Sequence, residues 1–310
     1  MTVNILFSAR PAAWTIYEAP LRAALDRAGI SANLARDLPP ETVDYIVYAP
    51  HAGRLDFTPF TRCKAVLSLW AGVESIVTNK TLTQPLARMV DHGLTQGMVE
   101  WVTGHVLRHH LGMDAHIHGL DGEWRQDVPP LASARPVTVL GLGALGAACA
   151  QALAGLGFPV TGWSRTAKQV DGIRCLHGAE GLKTALNDAE VMVLLLPLTA
   201  ATENLIDAGA LALLAQGAFL LNPGRGPLID DAALLAALDS GQLAHATLDV
   251  FRTEPLPRDN PFWSHPKVTV TPHIASETRA ETAAEVIATN IQRGAAGLPF
   301  LHLVDRASGY

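Results

Sequence analysis

The chain has 310 residues, of which 49% are hydrophobic and 17% charged, with a formal net charge of −6. That length suits two domains better than one core, and the composition is that of a folded protein rather than a disordered one. With no dense Lys/Arg stripe, the electrostatic footprint of a nucleic-acid binder is missing. Three cysteines, Cys63, Cys149 and Cys175, at no metal-ligand or CxxC spacing, predict neither a disulfide framework nor a zinc site. The apolar runs fall well short of the ~20 residues of a membrane helix. The N-terminal stretch reads as a strand rather than a leader, so a cytoplasmic, membrane-free protein is expected.

In chain order, short apolar strands at 4–7, 45–48 and 65–69 alternate with helical stretches such as 19–28, a βα pattern that predicts a parallel sheet covered by helices. A helix is predicted over 98–110, where Met98, Val102 and Val106 recur on one face. The polar segment 119–136, with its Gly and Pro, reads as a crossing between domains. Strands follow at 137–140, 160–163, 191–196, 218–221, 246–250 and 268–271, aliphatic enough to be buried on both faces of a parallel sheet, and an Ala-rich helix over 276–293 closes the chain. The expected fold is α/β: two Rossmann-like domains, each a parallel sheet flanked by helices, with the active site in the cleft between them. Residues 1–97 and 276–310 are expected to form a discontinuous substrate-binding domain and 98–275 a dinucleotide-binding one.

The strand at 137–140 runs into Gly141-Leu-Gly143-Ala144-Leu145-Gly146 and then an apolar helix. The first glycine permits the tight turn, the second lets backbone approach a pyrophosphate, and the third lets helix and strand pack closely. The helix N-terminus then faces the anion. About 20 residues on, where an acidic residue would read a free ribose 2′-hydroxyl, stands Ser164-Arg165-Thr166 with no carboxylate. The forked guanidinium of Arg165 suits a 2′-phosphate, so NADP(H) is expected in preference to NAD(H).

Three segments place polar residues just past predicted strands: Asn222-Pro-Gly-Arg225-Gly, Asp249-Val-Phe-Arg-Thr-Glu254-Pro, and Thr271-Pro-His273. Singly, each has a structural alternative: a surface cation, a loop carboxylate, a satisfied core histidine. Their joint occurrence behind strands of one domain favours a site. With the glycine turn, Trp70-Ala71-Gly72-Val73-Glu and Pro261-Phe-Trp-Ser-His-Pro266, they make the chain resemble, over its whole length, the D-isomer-specific 2-hydroxyacid dehydrogenases, nearest the glyoxylate/hydroxypyruvate reductase branch. The resemblance implies that Arg225 grips the substrate carboxylate and carbonyl, His273 transfers the proton, and Glu254 partners His273. It adds Trp70, Ala71, Gly72 and Val73 to the substrate contacts, Pro197 and Asp249 to the cofactor contacts, and a homodimer. Pro223 departs from the family, whose members more often carry a small non-proline residue there.

The chemistry agrees. Hydride reduction of a ketone leaves an alkoxide that needs a proton near neutral pH, for which histidine is suited. The expected reaction is NADPH-dependent reduction of small 2-oxo acids such as glyoxylate and hydroxypyruvate, with no metal. Rival readings are an NAD-linked dehydrogenase of bulkier D-2-hydroxy acids and a dinucleotide-sensing scaffold; the latter needs no Arg, Glu and His together. The histidines at 105, 109, 110, 116 and 118 read as a solvated or interface face, since no HExxH pattern accompanies them.

Overall fold

The computed structural model describes residues 2–50, 55–119 and 122–306. They form two compact units, 1–94 with 277–310 and 95–276.

The first unit contains a five-stranded, wholly parallel sheet in the order β2-β1-β3-β4-β5, built from β1 (Val3–Ser8), β2 (Ala32–Ala35), β3 (Tyr45–Tyr48), β4 (Ala65–Ser68) and β5 (Leu86–Ala87). Helix α1 (Pro11–Arg27) starts with proline at its first position, where the missing N–H costs nothing. It begins eight residues before the predicted 19–28 helix and packs with α9 (Ala280–Ala295) on one face of the sheet. The short α2 (Glu74–Val77) lies on the segment after β4. Ile5, Leu21, Leu67, Ile287 and Ile291 are nearly or fully buried between sheet and helices.

The second unit contains a seven-stranded parallel sheet in the order β12-β11-β10-β9-β6-β7-β8. Its strands are β6 (Val137–Leu140), β7 (Val160–Ser164), β8 (Arg174–His177), β9 (Val191–Leu194), β10 (Ala218–Asn222), β11 (Leu243–Leu248) and β12 (Val268–Val270). Val191, Met192, Val193 and Leu194 are all fully buried, as the aliphatic run of a central strand between helical layers requires. Helices α3 (His92–His110), α4 (Met113–Ile117), α5 (Ala144–Gly155), α6 (Gly178–Leu186), α7 (Ala208–Ala212) and α8 (Asp231–Ser240) complete the chain order. Helix α8 is bounded by chemistry: the Asp230 side chain accepts from the Ala233 amide, and Gly241 ends it at φ 78°. Between β6 and β9 the strand order reverses, the position where open α/β sheets bind ligands at their C-terminal edge. Among the described residues no helix is long and apolar enough to cross a membrane.

Helix α3 starts six residues before the predicted helix at 98, and Met98, Val102 and Val106 are buried against β6 and α5. Two of the five histidines expected on a solvated or interface face lie elsewhere. His109 and His110 are core residues, 5% and 6% exposed, not part of a solvated face. His109 Nε2 bonds Thr247 Oγ1 at 2.9 Å and its ring stacks on Phe219, partners more than 100 residues away that helix periodicity does not reveal. His245 bonds Thr269 at 2.8 Å beside it.

Burial, followed by the neighbouring His245, pushes the His109 ring down to about 3, and burial followed by Arg108 pushes His245 down to about 4. Both are therefore neutral in the folded chain and become protonated on unfolding below the ordinary histidine value of about 6.5. Their contribution is complete above pH ~6.5 and is lost as pH falls toward the folded values. At pH 5 His109 alone should cost about 2 kcal/mol of stability relative to pH 7. In urea denaturation at the two pH values, the His109→Gln variant should show a smaller drop than the unsubstituted chain. Equal drops would exclude His109 as the cause.

Candidate active site

The glycine turn follows β6 at the reversal of strand order. Gly141 adopts φ 108°, and a Cβ there would lie 2.5 Å from the Leu195 carbonyl oxygen. A Cβ on Gly146 would lie 1.7 Å from the Gly141 oxygen. Both positions demand glycine for packing. Gly143 differs: it caps α5, and a Cβ on it would meet nothing within 4 Å. Its glycine keeps the approach to the helix N-terminus open. There the first-turn amides of Ala144, Leu145 and Gly146 lack helical acceptors and suit a diphosphate. The residues present therefore fit a dinucleotide. Pro197 lies on the segment after β9, its carbonyl accepting from Thr202 Oγ1 at 2.7 Å.

At the end of β7, Ser164 is buried and its hydroxyl donates to the Thr166 carbonyl at 2.8 Å. That bond folds the turn and leaves Arg165 and Thr166 as the exposed groups. No carboxylate stands between 164 and 168.

The other candidate site residues of this unit rise from the C-terminal ends of β10, β11 and β12, which are neighbours in the sheet. Asn222, 1% exposed, closes β10; its Oδ1 accepts from the Gly224 amide at 3.1 Å and its Nδ2 donates to the Arg225 carbonyl at 2.9 Å. This clamp sets the backbone of the arginine, and Pro223 is accommodated inside it. Gly226 then passes so close to the β11 loop that a Cβ would stand 2.1 Å from the Phe251 carbonyl carbon. Phe251 in turn donates its amide to Glu254 Oε1 at 2.8 Å, and Glu254 Oε2 meets His273 Nδ1 at 2.7 Å. One continuous path of contacts thus links the Arg225 loop to His273.

His273 follows β12 in the left-handed region, φ 56°, which a non-glycine residue adopts only when its surroundings hold it there. Asp249 holds it. The Asp249 carbonyl accepts the His273 amide at 2.8 Å. Its carboxylate, in a residue 1% exposed, accepts from Thr271 Oγ1 at 2.6 Å and from the Ile274 and Ala275 amides at 2.9 Å each. Asp249, expected among the cofactor contacts, thus spends its carboxylate on the loop that carries the histidine. Because a carboxylate only accepts, His273 Nδ1 carries the proton of the pair with Glu254, leaving Nε2 for other chemistry. The His273 side chain is 52% exposed, open to a reactant.

In the first unit, the turn after β4 is closed by Ser68, whose hydroxyl accepts the Trp70 amide and donates to the Trp70 carbonyl, both at 3.0 Å. Trp70 is 45% exposed and so is not a core tryptophan; Val73 is buried, and Ala71 and Gly72 lie half-buried between them. Sequence reasoning missed Ser68 and Asn222. Their signal is a polar residue that ends an aliphatic run immediately before a candidate site turn.

A sheet with its glycine turn at the reversal point and a carboxylate-held histidine at the same edge defines a nicotinamide-dinucleotide oxidoreductase. Residues 104–275 match the model described as the D-isomer specific 2-hydroxyacid dehydrogenase NAD binding domain. The chain is 41% identical over 257 residues to the glyoxylate/hydroxypyruvate reductase A of Serratia proteamaculans, covering 80% of this chain and 82% of that one. It belongs to the D-isomer specific 2-hydroxyacid dehydrogenase family. Among solved structures, a family member from Xanthobacter autotrophicus Py2, in complex with NADPH and MES, superposes with TM-score 0.91 at 40% identity over all of both chains. The NADPH-dependent glyoxylate/hydroxypyruvate reductase of Sinorhizobium meliloti, in complex with NADP and sulfate, superposes with TM-score 0.82 at 33% identity, covering 100% of this chain and 99% of that one.

Proposed function

We propose that this chain reduces small 2-oxo acids, glyoxylate and hydroxypyruvate among them, to 2-hydroxy acids with NADPH. The observation that carries the reading is the 2.7 Å pair between His273 Nδ1 and Glu254 Oε2 on a loop built at the edge of a dinucleotide-type sheet. The dinucleotide supplies the hydride. Arg225 holds the substrate carboxylate and polarises the carbonyl, and the Ala71, Gly72 and Val73 amides take the same carboxylate beside Trp70. His273 delivers a proton from Nε2 to the oxygen as the alkoxide forms, while Glu254 keeps the ring oriented and stabilises its charged form. In this reading the 1–94 and 277–310 unit binds substrate and the 95–276 unit binds the cofactor. Leu111, Ile117, Trp124, Val128 and Leu131 are exposed apolar residues that support a homodimer.

Preference for NADPH rests on Arg165 and on the missing carboxylate. A hydrogen bond to a charged group contributes about 1.5–3 kcal/mol. Arg165→Ala should therefore raise KM for NADPH by about 10- to 100-fold and change KM for NADH by less than about threefold. The test follows absorbance of each cofactor with glyoxylate, hydroxypyruvate, pyruvate and phenylpyruvate. Turnover with none of them would sink the activity; unchanged preference in Arg165→Ala would sink only the cofactor argument.

A further inference from the structure

The substrate contacts named so far leave one conspicuous cation of the first unit without a role. Arg88 directly follows β5, the strand at the sheet edge next to β4. The two strands pair in parallel with Val66 beside Leu86 and Leu67 beside Ala87, a register that brings Ser68 beside Arg88. Neighbouring residues of a parallel pair share a face. The alternation agrees: Ala87 and Met89 belong to the core under α1 and α9, whereas Val66 and Leu86 belong to the opposite core. Arg88 therefore stands on the same face as Ser68, the residue that closes the Trp70 turn. The Met89 amide donates to the Trp70 carbonyl at 3.0 Å, which ties the Arg88 backbone to the turn directly.

The surroundings of Arg88 are unusual for a cation. It is half-buried. Among the described residues its guanidinium has no hydrogen bond and no ion pair; only its backbone is engaged, the amide donating to the His302 carbonyl at 3.0 Å. His302 gives no compensation, because burial and then Arg88 itself push its ring down, keeping it neutral. Burial likewise pushes the guanidinium below its ordinary range without removing its charge. Partial desolvation of a cation that has no compensating carboxylate is unfavourable in the isolated chain, and a ligand oxygen would relieve it.

We propose that Arg88 determines substrate specificity by binding an oxygen substituent on C3 of the 2-oxo acid, the hydroxyl of a 3-hydroxy-2-oxo acid or the second carboxylate of a 2-oxo diacid. The inference rests on the proposed function. In that reading the turn amides and Arg225 take the C1 carboxylate, and His273 and Arg225 take the C2 oxygen. A group on C3 is the remaining part of a short 2-oxo acid that can meet a cation at the foot of the turn. A planar guanidinium with five donors accommodates either oxygen type.

The test uses the intact chain with NADPH and three substrates: glyoxylate, which has no C3; pyruvate, whose C3 bears no oxygen; and hydroxypyruvate, whose C3 bears a hydroxyl. Arg88→Met, which keeps the stem length, should lower kcat/KM for hydroxypyruvate about 10- to 100-fold. Glyoxylate and pyruvate should change by less than about threefold, a margin well inside the smallest loss expected for a charged hydrogen bond. Arg88→Lys keeps the charge without the fork and should fall between. Selective loss supports the proposal. Equal losses on all three substrates would make Arg88 a structural residue, and no loss on any would remove it from the site; either overturns the proposal. If the unsubstituted chain reduces none of the three, the proposed function fails first and this inference with it. A soluble, folded Arg88→Lys with an unaltered substrate ratio is the decisive negative should Arg88→Met fail to fold.

Discussion

Replacing His273 by alanine should lower kcat for 2-oxo acid reduction by about 10²- to 10⁴-fold, the usual range for loss of a general acid. KM for NADPH should move by less than about threefold, because the histidine is assigned to the substrate oxygen rather than to the dinucleotide. The geometry sharpens this into a prediction about its partner. Glu254 uses one oxygen for the Phe251 amide and the other for His273 Nδ1. In Glu254→Gln one of those positions must become an NH2 group. If the oxygen stays on Phe251, the amide nitrogen faces an N–H and the ring must adopt the tautomer with its proton on Nε2, without a charge to stabilise the imidazolium. That variant should lose about 10- to 100-fold in kcat, less than His273→Ala, because a neutral imidazole still donates weakly. In the proposed mechanism the two residues act as one unit, so the double variant should be no slower than His273→Ala alone. Multiplicative losses in steady-state assays would mean that Glu254 acts independently of the histidine.

How much of this was legible beforehand depends on whether the cause of a feature is local. The glycine turn could be read because most of its constraints lie within six residues: Gly141 needs a positive φ, and Gly146 must approach the Gly141 oxygen, while the contact of Gly141 with Leu195 is distant in the chain. The central strands could be read because burial on both faces leaves an aliphatic run, as at 191–194. The edge strand β8, Arg174–His177, has no buried residue and no run to betray it, and sequence patterning passed over it along with β2 and β5. Helix α1 was read eight residues short because Trp14, Thr15 and Ile16 blur its apolar stripe and Pro20 lies within it. The same limit applies at the site. Arg225, Glu254 and His273 were recognisable as residue types past strands. What fixes them was not: the carboxylate of Asp249 reaches 22 to 26 residues along the chain to build the histidine loop. The buried pair of His109 and Thr247 spans 138 residues, which is why a core histidine passed for a surface one.

Arg225→Ala should lower kcat/KM for glyoxylate by about 10²- to 10³-fold, affecting both kcat and KM. Truncating one partner of a hydrogen-bonded charge pair costs about 2–5 kcal/mol, and in the proposed mechanism the lost group both anchors the carboxylate and polarises the carbonyl. Arg225→Lys keeps the charge but not the fork, so orientation suffers more than attraction, and kcat should fall proportionally more than KM rises. The loop itself should survive either change. Its course is set by the Asn222 clamp, which bonds the Gly224 amide and the Arg225 carbonyl, and by the absence of a Cβ at Gly226; the arginine side chain adds one bond, its Nη1 donating to the Gly224 carbonyl at 2.7 Å, which the clamp can outlast. The discriminating control is glycolaldehyde, a carbonyl substrate without a carboxylate. Since Arg225 is assigned to carboxylate as well as carbonyl, its removal should penalise glyoxylate at least about tenfold more than glycolaldehyde, the excess being the carboxylate's share of that charged hydrogen bonding. Equal penalties would confine Arg225 to the carbonyl and leave the carboxylate to the turn amides alone.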